Sequence, residues 1–154
     1  MGGPVIKPEP EITLWGSGQA KVLRGYVRGA SMTPTLRWGD RITVMPGDKY
    51  RLGEILLFAR DEELIIHRVM AILPGRIITK GDASHRLDPH VCPQDILGRA
   101  VIKEPDGKVQ ILDSSGARYW GLIIGLGALV IYKVLDSLRA MGRYWQNRQR
   151  VALR

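Results

Sequence analysis

Short bursts of Val, Ile and Leu recur along most of the chain, at 22–28, 41–45, 54–59, 64–73, 76–80, 97–103 and 109–112. Aliphatic runs of that length, bounded by turn residues, read as strands. Pro46-Gly47-Asp48, Pro74-Gly75 and Pro105-Asp106-Gly107 supply turns between many of them. The pattern predicts a mainly β fold, a coiled antiparallel sheet or small barrel. Near the end the period changes. Residues 119–132 carry no charge, a run shorter than the roughly 20 apolar residues that cross a bilayer. Beyond it Leu135, Leu138, Met141 and Trp145 recur at helical steps with Lys133, Asp136, Arg139 and Arg143 between them, which predicts an amphipathic, basic C-terminal helix. Gly121 and Gly125 add one small-xxx-small pair, a spacing that permits close helix packing.

The opening stretch through Gln19 holds Pro4, Pro8, Pro10 and several glycines, a composition that resists regular structure. The expected organisation is a flexible leader at 1–20, a folded β domain at 21–116, an apolar to amphipathic helix at 117–146 and a basic tail at 147–154. In 154 residues, 45% of them apolar, there is enough to build one core. The net charge of +8 is uneven, because seven basic residues from Arg118 onward face Asp136 alone, leaving only +2 for the first 117 residues. A nearly neutral body excludes a dedicated nucleic-acid surface, which needs basic groups spread over the docking face. A basic helix suits an anionic membrane surface instead. No basic-then-apolar run with a small-residue cleavage site occupies the first thirty residues, so neither a cleavable signal peptide nor an N-terminal anchor is expected. Membrane association is therefore expected to be peripheral or C-terminal. Cys92 is the only cysteine and can form no internal disulfide.

The segment Gly29-Ala30-Ser31-Met32-Thr33-Pro34-Thr35-Leu36 is the richest in chemistry. A small-residue turn there would expose the Ser31 hydroxyl and let backbone N–H groups approach a developing oxyanion, with Gly29, Ala30, Met32 and Pro34 as oxyanion or substrate contacts. A hydroxyl needs a base to attack at neutral pH. His67, in an otherwise aliphatic run, is the candidate. An acid beside the imidazole would hold its tautomer, and by chemistry both Asp82 and Asp88 qualify. Lys80 precedes Gly81-Asp82 and is read as supporting structure, as is Asp82. His85, His90 and Cys92 lie near Asp88, but no second Cys/His pair with ligand spacing exists, so no metal and no cofactor are expected. Trp15 and Trp38 are read as packing residues, and Trp120 and Trp145 as flanking the helix at an interface.

Ser-Met-x-Pro-Thr-Leu, then Gly-Asp, then an aliphatic strand ending in His-Arg-Val, then Lys-Gly-Asp resemble the ordered boxes of the signal peptidase I family, over about residues 28–100. With histidine where bacterial members carry a lysine base, the chain resembles the archaeal and endoplasmic-reticulum branch. The resemblance implies the catalytic fold of that family and a Ser31/His67/Asp88 site, since the family's completing aspartate lies six positions beyond that of Lys-Gly-Asp. It implies a serine endopeptidase that takes a peptide or preprotein as an added strand and removes leader or signal segments after small residues. Gly29 stands where many bacterial relatives carry a hydroxyl residue, which leaves backbone N–H groups to form the oxyanion hole. Leaders of cytosolic, ribosomally made peptides are an alternative substrate class. A LexA-like self-cleaving regulator shares the Ser-Met-x-Pro and Gly-Asp pattern, but pairs serine with lysine and carries a DNA-binding half, for which the stretch before Val22 is too short and proline-rich.

Overall fold

The computed structural model describes residues 5–8, 13–15, 20–61 and 63–152. Every strand expected from the aliphatic bursts is present, with ends moved by at most two residues. In chain order these are β3 (Ala20–Arg28), β4 (Arg41–Met45), β5 (Ile55–Arg60), β6 (Glu63–Leu73), β7 (Arg76–Lys80), β8 (Ile96–Glu104) and β9 (Gln110–Ile111), preceded by β1 (Val5–Pro8) and β2 (Thr13–Trp15). They form an antiparallel sheet in the order β1-β3-β4-β8-β5-β6-β7, with β2 on β3 and β9 on β8. β1 turns back to meet β6 only at Val5 opposite Ile65. The sheet coils without closing into a barrel.

Two segments of the expected leader are not irregular. β1 pairs with β3 from Val5 opposite Arg28 to Pro8 opposite Gly25, and β2 pairs Thr13 with Val22. Proline composition misleads here because Pro8 ends its strand, where a missing N–H costs the ladder little. The rest of the leader (1–4, 9–12 and 16–19) and the side chain of Trp15 lie outside the described residues.

β5 shows how the sheet is held. Alternate side chains of a strand face opposite sides, and here both sides are dry. Ile55 and Leu57 join Val27, Met32, Leu36 and Ile66 in one core cluster, while Leu56 and Phe58 join Ile65, Val69, Ile77 and Val91 in the other. Fully burying each such side chain stabilises the fold by about 1.5–3 kcal/mol. β6 runs between the two clusters and is buried from Ile65 to Val69. That is why a histidine and an arginine in its middle are drawn out of water.

The C-terminal helix α1 spans Ser115–Ala152, 38 residues. It absorbs 147–152 of the expected tail, and 153–154 and the side chain of Trp145 lie outside the described residues. Its segment Ser115–Met141, with mean hydropathy 1.8, is long and apolar enough to cross a membrane by length and composition, and only 11% of that window is buried. Counting charge-free residues alone understated it, since isolated charges such as Lys133 interrupt neither the helix nor its apolar character. Gly121 and Gly125 are buried against the domain, whereas residues 131–141 are all exposed. Trp38, 71% exposed, corrects the packing role expected of it, and Trp120 is 65% exposed.

Candidate active site

β3 ends at Arg28 and is followed by Gly29, whose φ of +128° is one that side chains rarely adopt. The chain there turns sharply into 30–36. Thr33 N–H donates to the Ala30 carbonyl at 3.0 Å and Leu36 N–H to that of Met32 at 2.9 Å. Val27 before the turn and Met32 and Leu36 after Ser31 are fully buried in the core, so the turn is nailed down on both sides of Ser31, which stays half-buried. β6 delivers His67 to it: Ser31 Oγ lies 2.8 Å from His67 Nε2. On the other side of the ring, His67 Nδ1 lies 2.5 Å from Asp88 Oδ2. A carboxylate can only accept there, which fixes the proton on Nδ1 and leaves Nε2 free to accept from the serine hydroxyl. Asp88 is itself tied to β7, where Thr79 Oγ1 donates to Oδ2 at 2.7 Å and the Thr79 carbonyl accepts from Asp88 N–H at 2.9 Å. The Phe58 ring meets the imidazole edge-on, centroids 6.4 Å apart.

Asp82 does not contact His67. Its two oxygens accept from Arg68, Nε at 2.8 Å and Nη2 at 2.7 Å, and one of them also accepts from Thr35 Oγ1. Arg68 Nη1 further donates to the Gly53 carbonyl at 2.7 Å. Arg68 and Asp82 are each 1% exposed, and a charge so deeply buried is tolerated only when paired and hydrogen-bonded. Lys80 is fully buried and donates from Nζ to the carbonyls of Gly81 (2.8 Å) and Asp82 (3.3 Å). Burial holds its ammonium below the usual lysine range, a shift that Asp82 and Asp88 oppose and Arg68 reinforces. Gly81 has no room for a side chain, because a Cβ there would lie 2.7 Å from the Ser31 carbonyl oxygen and 2.9 Å from Ser31 Cβ. Ala83 N–H donates to that same carbonyl at 2.7 Å. The loop 80–88 thus grips the backbone of Ser31 with one end and the ring of His67 with the other.

A groove of about 600 Å³ opens over Ser31 and His67, lined also by Arg60, Glu63, Ile65 and residues 83–88. Gly29, Ala30, Met32 and Pro34 do not line it. Met32 offers a substrate only backbone, its side chain being core, and Pro34 lines a separate groove beside Trp120. The Ser31 N–H donates to no group among the described residues. His85, His90 and Cys92 do not gather, and no cluster that could hold a metal ion occurs among the described residues. Sequence reasoning missed Arg68, Thr79, Thr35 and Gly81. Arg68 carried a usable signal, a cation in an aliphatic strand that must find a partner once buried.

No curated protein and no solved structure matches the chain. The model of one family does, over residues 7–101, a stretch that includes the Ser31 turn, His67 and the loop to Asp88. With well over half its length matched, the chain belongs to the Peptidase S24-like family, which covers LexA-like and signal peptidase I-like proteins, and is a serine peptidase.

Proposed function

We propose that the chain is an endopeptidase of the signal peptidase type, cleaving leader or signal segments after small residues, with Ser31 as nucleophile, His67 as general base and Asp88 as the group that orients His67. The observation that carries this reading is the relay of two hydrogen bonds, 2.8 Å from Ser31 Oγ to His67 Nε2 and 2.5 Å from His67 Nδ1 to Asp88 Oδ2. As Ser31 Oγ attacks the scissile carbonyl carbon, its proton passes to Nε2 and the Asp88 carboxylate stabilises the imidazolium. The imidazolium then gives that proton to the departing amine. Water, deprotonated by the same nitrogen, releases the acyl group and restores Ser31. The N–H of Ser31 is available to the oxyanion. Ala83 and Ser84 line the groove, and small residues there suit an extended peptide laid close to the wall, a fit that supports selection by shape.

Partners in this reading are a peptide or preprotein strand and, through α1, a membrane surface. Leaders of cytosolic peptides fit the same chemistry. The family match is equally consistent with a second reading, a LexA-like chain that cuts itself. Histidine rather than lysine as the partner of Ser31 speaks for the first. Purified protein should cleave a leader peptide with small residues before the scissile bond, and Ser31→Ala and His67→Ala should each lower kcat by about 10⁴-fold or more. Full activity in Ser31→Ala would end the proposal. Shortening of the chain at raised pH without added peptide would favour self-cleavage.

A further inference from the structure

α1 bears on the buried partner of the loop 80–88 at one place and on the loop itself at another. At the first, the helix backbone comes down directly on Arg68. A Cβ built on Gly121 would lie 2.1 Å from Arg68 Cζ and 2.2 Å from Nη1. The guanidinium has nowhere to retreat, because Asp82, Thr35 and the Gly53 carbonyl all hold it. One turn further, a Cβ on Gly125 would sit 3.5 Å from Met70 Sδ and 3.9 Å from Asp82 Oδ1. The small-xxx-small pair therefore seats the helix on its own domain. At the second place the Tyr132 ring lies against His85, centroids 4.8 Å apart at 40°. His85 stands between Asp82 and Asp88, so the helix presses on Arg68, the partner of Asp82, and touches the loop itself near its middle.

The loop in turn sets the nucleophile. Ala83 N–H holds the Ser31 carbonyl at 2.7 Å, and Asp82 accepts from Thr35 in the same turn as Ser31. We propose that α1 is a brace for this loop, with Gly121 as a positioning residue, so that the approach of Ser31 to His67 depends on the helix being seated on β6. The consequence for catalysis rests on the peptidase reading above; the seating itself does not. Interfaces packed this tightly deform in steps rather than smoothly, which lets a contact at the helix be felt at the loop.

The test uses the full chain and two readouts, hydrogen exchange at the Ala83 amide and the rate at which a fluorophosphonate labels Ser31. Gly121→Val should raise Ala83 exchange and slow labelling, each by about tenfold or more. Gly127→Ala, whose added Cβ meets nothing within 4 Å, should match the parent on both. Tyr132→Ala, at an exposed site that leaves the core alone, should slow labelling about threefold, and Tyr132→Phe, which keeps the ring contact, should restore it. Parent-like Ala83 protection in a folded Gly121→Val chain overturns the brace. Should that chain not fold, equal labelling of Tyr132→Ala and the parent overturns it instead. A parent chain that never labels at Ser31, combined with Ala83 exchange accelerated by Gly121→Val, removes the peptidase reading and upholds the brace.

Discussion

Asp82 and Asp88 lie six positions apart in one loop, yet the groups around them assign them different work. Asp88 faces an imidazole and a threonine hydroxyl, Asp82 a buried guanidinium. The two should therefore fail differently. On the proposed mechanism, Asp88→Asn removes the charge that would stabilise the imidazolium and lets the ring take the wrong tautomer, so kcat should fall by about 10⁴-fold with KM little changed and the fold intact. Asp82→Ala leaves Arg68 charged, buried and unpaired, a change that costs about 3–5 kcal/mol. Denaturant melts should show that loss, while Asp88→Asn melts like the parent. Equal melting of all three chains would show that Arg68 finds another partner. Lys80 makes a pH prediction. Its folded pKa is lowered by burial from 10.5, so between the lowered value and 10.5 the unfolded chain holds a proton that the folded chain has released. Stability rises with pH when the unfolded state binds more protons. The parent should gain stability across that alkaline window, and Lys80→Met, with nothing to release, should lack the gain.

Between elements, the decisive contact is the loop 80–88 against the turn 29–36. Gly81→Ala puts a methyl 2.7 Å from both the Ser31 carbonyl oxygen and Ser84 Oγ, and while the hydroxyl can rotate away, the carbonyl belongs to the backbone and is held by Ala83 N–H. Steady-state kinetics should show about a hundredfold loss in kcat, since a displacement of about 1 Å at a reacting group costs that much. Retention of kcat would show that the loop gives way elsewhere. The strands that carry these loops were legible in the sequence because alternation and turn residues are local signals, and β4 and β7 fall on their expected bounds. The pairing of Ser31 with His67 was legible only as chemistry seeking a partner, and the choice of Asp88 came from likeness to a family, not from spacing. What stayed hidden was contact between distant segments. Gly121 against Arg68 joins residues more than fifty positions apart, and no periodicity reports such a meeting. β1 and β2 were hidden for a different reason. Their register comes from β3, which can hold as a strand a proline-bearing segment that its own composition would leave irregular.

For the molecule as a whole, the question is what membrane contact, on the reading proposed above, α1 could make while it also braces the loop. Its Ser115–Met141 segment is long enough to span, but Gly121 and Gly125 are buried against the domain and Tyr132 is spent on His85. With the helix seated, the face bearing Ile123, Leu126 and Val130 stays exposed, but only beyond Tyr132 does the helix run clear of the domain, and Lys133, Asp136, Arg139 and Arg143 fall among the first of those residues. A hydrocarbon core needs about 20 predominantly apolar residues, which that remainder does not offer. A seated α1 therefore suits the interface, with Leu135, Leu138 and Met141 down and the basic residues toward headgroups. Each Lys or Arg near an anionic surface is worth about 1 kcal/mol, so Lys133, Arg139 and Arg143 together should give roughly a hundredfold preference for anionic over neutral vesicles. Flotation assays should show binding that high salt weakens, alkaline washing strips and Leu138→Asp abolishes. Ser31 labelling should be equally fast with the vesicles present, because the brace stays in place. Integration that survives alkaline washing with full Ser31 reactivity would mean that the helix spans while seated, and the geometry argued above would not hold. Integration accompanied by loss of reactivity would have the opposite meaning: to span, α1 must leave β6, and in leaving it releases the loop that holds Ser31 to His67.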